Sequence, residues 1–157
     1  MIQRIQTLFL AIASLTMAIA FFFPIITYIN EGQIWLEVYL KGIRDNSSPQ
    51  LEIGNSILLP LQVLCILTIV LAVFAIFLYK NRKSQMKMVR FGIVLILVAI
   101  ALIFFYYANV IAKATLTEPD FNHVGIYLLL VSLIMFVMAN RFILKDEKLV
   151  RAADRLR

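Results

Sequence analysis

Four long apolar runs, separated by short polar segments, make up most of the chain: Ile5 to Ile29, Ile53 to Tyr79, Phe91 to Ala112 and Val124 to Leu144. Each matches the roughly 20 helical residues needed to cross a hydrocarbon core of about 30 Å. No Asp, Glu, Lys or Arg interrupts them before Arg141, which lies close enough to the end of the fourth run to snorkel into the headgroups. Because the runs are apolar all round rather than alternating over about ten residues, they predict spanning helices and not barrel strands. The expected fold class is an all-α membrane protein, with residues 1–157 forming one domain as a four-transmembrane-helix bundle.

The connections carry the orientation. Arg4 precedes the first run, Lys80, Arg82, Lys83, Lys87 and Arg90 fill the inner loop 80–90, and Arg141, Lys145, Lys148, Arg151, Arg155 and Arg157 follow the fourth. The alternate connections hold only Lys41, Arg44 and Lys113 beside six acidic residues. The positive-inside rule then predicts that both termini are cytoplasmic. In the outer loop, 30–52, Gln33 to Lys41 alternates between apolar and polar positions, which predicts a half-buried strand. Asn46 to Pro49 reads as a turn and Gln50 to Ile53 as a second strand, giving a small hairpin. Trp35 and Tyr39 suit either interfacial anchoring or ligand contact.

Composition reinforces the membrane reading. Hydrophobic residues make up 62% of the chain and charged residues 15%, against about 45–50% and about 25% in soluble domains. The net charge of +6 belongs to the edges of apolar runs, not to a basic face, so nucleic acid is not an expected partner. Cys65 stands alone, which excludes an internal disulfide or a cysteine-rich metal site. No carboxylate lies at membrane depth, as a proton-coupled exporter would need. His123, expected to be exposed at an outer helix start, is the single histidine and supplies no haem pair. No phosphate loop or nucleophile motif appears, so neither cofactor, metal nor catalytic residues are expected.

Small residues predict helix contacts: Ala11, Ser14 and Ala18 in the first run, Ala101, Ala108 and Ala112 in the third, and Gly125, Ser132 and Ala139 at intervals of seven in the fourth. Gln62, Asn109 and Asn140 are the polar intramembrane candidates, fitting either interhelical hydrogen bonding or a binding cleft. The ending, 145–157, has helix-forming composition and continues from the fourth run. Its Lys148, Arg151, Asp154, Arg155 and Arg157 are candidates for contact with lipid headgroups or with a partner protein.

The opening MIQRIQT and the closing DEKLVRAADRLR, with the four-span layout, resemble an uncharacterised bacterial inner-membrane family of the Bacteroidota, a domain-of-unknown-function family. The topology is also similar to that of tetraspan junction proteins with a sheet in the first outer loop, but their paired loop cysteines are missing. The resemblance implies a multi-pass protein of the bacterial inner membrane and supplies no activity. The expected role is a non-enzymatic accessory or scaffold subunit of a larger membrane complex, or a homo-oligomer, engaged through the cytoplasmic ends. The alternative is a small-molecule or lipid carrier with a cleft among the helices.

Overall fold

The computed structural model describes residues 3–30, 32–46 and 54–155. It corrects the all-α expectation: four helical rods carry a four-stranded antiparallel sheet at one end. Helix α1, Gln3–Ala20, ends well short of the expected first span. Phe21, Phe22 and Phe23 close a turn onto the carbonyls of Ala18, Ile19 and Ala20, and Pro24 then begins strand β1, Pro24–Asn30. Proline disfavours helical backbone in the residue before it. The β-branched Ile25, Ile26, Thr27 and Ile29 favour extended pairing thereafter. Among the described residues, three helical segments are long and apolar enough to cross a membrane, Ser56–Phe77, Arg82–Thr115 and Val124–Leu149, and the apolar part of α1 is the shorter Ile5–Ala20.

Strand β2, Gln33–Tyr39, pairs with β1 through Thr27 opposite Glu37 and Tyr28 opposite Leu36. Its other neighbour is β3, Gly42–Asp45, instead of the expected Gln50–Ile53, which lies outside the described residues. The short β4, Pro119–Asp120, joins the free side of β1, giving the order β3-β2-β1-β4. The sheet thus gathers both connections at its end of the molecule. Its apolar face holds Leu36, Val38 and Leu40 inside, while Ile34 at the same alternation is exposed.

Helix α2, Leu59–Phe77, follows a 3₁₀ turn, with Pro60 in its first turn, where the missing N–H costs nothing. Helix α3, Arg82–Ala101, passes through a π-helical segment, Leu102–Tyr107, into α4, Ala108–Thr115. The wider π turn shifts the buried face by a residue, so adjacent Tyr107 and Ala108 are both inside. Helix α5, Val124–Arg155, returns along the whole body. Helix α1 packs on α2 and α5, and α3 on α2 and α5, closing a ring.

The centre of that ring is filled by Leu10, Ala13, Cys65, Ile96, Phe136 and Ala139. Helices α3 and α5 meet where Gly92 faces the Phe136 ring, and a Cβ there would lie 2.6 Å from Phe136 Cε1. Gly92→Ala is therefore expected to cost about 1–2 kcal/mol, overpacking outweighing the helix propensity gained. Gly92→Ala with Phe136→Leu should recover most of the loss. Unfolding in mixed micelles checks this, and equal stability of Gly92→Ala and the native chain would exclude the tight crossing.

Candidate functional site

Polar side chains gather in three places: the sheet end, the interior and the end that carries the chain termini. At the sheet end, Thr27 Oγ1 lies 2.7 Å from His123 Nε2, and Asp120 Oδ2 lies 3.7 Å from the same nitrogen. A nucleophile, base and orienting acid would use opposite imidazole nitrogens, so this cluster is not a catalytic relay. Asp120 Oδ1 meanwhile accepts from the Asn122 backbone N–H, and Tyr127 donates to Asn122 Oδ1. The cluster ties β1 and β4 to the start of α5. His123 is accordingly half-buried and bonded, a correction to its expected exposure. Behind β1, the Tyr28 hydroxyl donates to the Ala108 carbonyl at 2.9 Å, and burial pushes its pKa above the usual tyrosine range.

In the interior, buried polar groups serve the backbone of the same or a neighbouring helix. Ser132 donates to the Ala13 carbonyl at 3.0 Å, Gln85 to the Ala75 carbonyl at 3.0 Å, and Thr68 to Leu64 in its own helix. The three residues singled out from sequence do not converge. Gln62 is half-buried near the sheet end of α2, and Asn109 is exposed and donates to Phe105 of its own helix. Asn140 lies toward the opposite end of α5, with a buried Oδ1 that has no partner among the described residues. Of the small-residue faces, Gly125, Ser132 and Ala139 are buried, whereas Ala11 and Ala101 point outward.

At the terminal end, Gln6 Nε2 donates to the carboxylate of Asp146, and to the Phe142 carbonyl at 3.3 Å. Asp146 is buried, its Oδ1 has no partner among the described residues, and Arg82 donates to its backbone carbonyl at 3.3 Å. The start of α1, the start of α3 and the late part of α5 are thereby linked. Beside this link lies a groove whose rim carries Lys83, Lys87, Arg90 and Lys148. Arg151, Asp154 and Arg155 continue α5 as helix, although their side chains lie outside the described residues, as does all of Arg157. Sequence reasoning missed Gln6, Gln85 and Asp146. The available signal was the interval of seven in the fourth run, which continues from Ala139 to Asp146 and places a carboxylate on the packed face.

A family model described as a domain of unknown function, DUF4293, matches residues 2–156. No curated protein and no solved structure matches the chain.

Proposed function

The chain belongs to the DUF4293 family, and from that premise we propose that it is a non-enzymatic accessory or scaffold subunit of an assembly in a bacterial inner membrane, docking a partner through its cytoplasmic ends. The observation that carries this reading is the continuity of α5, which runs unbroken over 32 residues from Val124 to Arg155. At about 1.5 Å per residue, Lys145 to Arg155 add roughly 16 Å of continuous helix, a rod packed at its base through Asp146 and running on beyond it. The rod alternates basic Lys148, Arg151 and Arg155 with acidic Glu147 and Asp154. Mixed charge of this kind discriminates among protein surfaces better than a purely basic tether does. The Gln6–Asp146 link supports the involvement of both ends, because it holds the beginning of α1 against the base of the rod. The basic residues at this end, by the positive-inside rule, favour a cytoplasmic position for it.

Arg151→Glu with Arg155→Glu is expected to abolish stoichiometric co-purification of a partner from mild detergent while leaving the chain in the membrane. Truncation after Lys148, which leaves Asp146 in place against Gln6, should do the same. Isolation of the intact chain alone, or unchanged recovery of the partner with either variant, would overturn the docking reading.

A further inference from the structure

We propose that the groove between the start of α3 and the late part of α5 is a binding site for the headgroup of an anionic phospholipid. Its α3 wall consists of Lys83, Met86, Lys87 and Arg90, spaced to share one helix face. Leu144, Glu147 and Lys148 form the α5 wall by the same spacing. Between them lies a cavity of about 380 Å³, with four cations around one carboxylate. Lys83, Lys87, Arg90 and Lys148 are exposed and Met86 and Leu144 half-buried, so the polar heads ring an apolar floor.

A phosphodiester matches the rim: the planar Arg90 guanidinium offers a pair of N–H donors to two phosphate oxygens, and the lysines add compact charge. The floor distinguishes a lipid from free phosphate. From Arg90 the α3 face continues as Val94 and Leu97, and from Leu144 the α5 face runs back toward Ile134 and Leu130, each of these four at least 40% exposed. Acyl chains lying on those stripes would cover surface that inorganic phosphate leaves bare. The apolar segment also begins directly after Arg90, which puts the cations at headgroup depth. A basic pocket between spanning helices is the recurrent geometry for such lipids. This site requires that α3 and α5 cross a membrane, and it does not require a docked protein.

The purified full-length chain, titrated with phosphatidylglycerol and followed by native mass spectrometry, tests the site. Phosphatidylglycerol should bind at least tenfold more tightly than phosphatidylcholine. Lys87→Gln with Arg90→Gln should weaken it on the order of twenty-five-fold, about fivefold for each cation. Both side chains are exposed, so the thermal midpoint of this variant should match the native one. Arg44→Gln, at the opposite end, should leave binding unchanged. Equal binding of the two lipids, or equal affinity of the native and Lys87/Arg90 variants, would overturn the proposal. Displacement of the lipid by millimolar inorganic phosphate would also overturn it, assigning the groove to the free anion.

Discussion

Gly125→Ala is expected to lower the thermal midpoint of the detergent-solubilised protein by roughly 5–10 °C, and Gly125→Leu to prevent assembly. A Cβ at Gly125 would strike the Pro24 carbonyl oxygen, and would lie 2.9 Å from both the Phe23 carbonyl and Ile25 Cγ2. Two of those atoms are backbone at the point where α1 gives way to β1, so no side-chain rotation relieves the clash. Overpacking against fixed backbone costs about 3 kcal/mol, against at most about 1 kcal/mol of helix propensity gained. Gly54 provides the control, since a Cβ there meets only Ser56 Oγ at 3.7 Å. If Gly54→Ala and Gly125→Ala shifted the midpoint equally, close approach of α5 to the α1–β1 junction would not be the cause.

Gln6→Leu should cost about 2–3 kcal/mol, because it strips the donor from a buried carboxylate while keeping nearly the same volume. Asp146→Asn retains an oxygen for Gln6 and removes the charge, so it should be neutral or slightly stabilising. Pairing Gln6→Leu with Asp146→Leu should restore most of the loss, since neither side then leaves a polar group stranded. Equilibrium unfolding in mixed micelles gives all three values. A larger loss from Asp146→Asn than from Gln6→Leu would show that the carboxylate is held by something other than Gln6.

Apolar length made the helical segments legible, but it could not locate the end of the first. From Ile5 to Ile29 the run is uncharged and mostly apolar, and a buried strand has the same composition as a buried helix. Pro24, with the β-branched residues after it, was the one local sign of the change, and it reads equally as a kink near a helix end. Alternation marked β2 because its pattern is strict there, whereas β4 is two residues long and owes its conformation to pairing with Thr27 and Tyr28. The groove was hidden for another reason. Lys83, Lys87 and Arg90 recur at helical spacing, but the positive-inside rule already accounted for them, and nothing local connects them to Lys148 more than fifty residues away. Asp146 was obscured by its charged neighbours, among which a buried carboxylate looks like one more solvated residue.

The pairing of β4 with β1 also imposes a schedule on biosynthesis. Thr27 meets Asp120, about ninety residues later in the chain, and at about 5–20 residues per second the ribosome needs roughly 5–20 s to supply that partner. Throughout this interval one edge of β1 has open hydrogen-bonding groups, the condition under which strands recruit the wrong neighbour. Nascent chains stalled or cleaved before Pro119 lack the partner of Thr27 and Tyr28 altogether, and that part of the β1 edge then stays open to another strand.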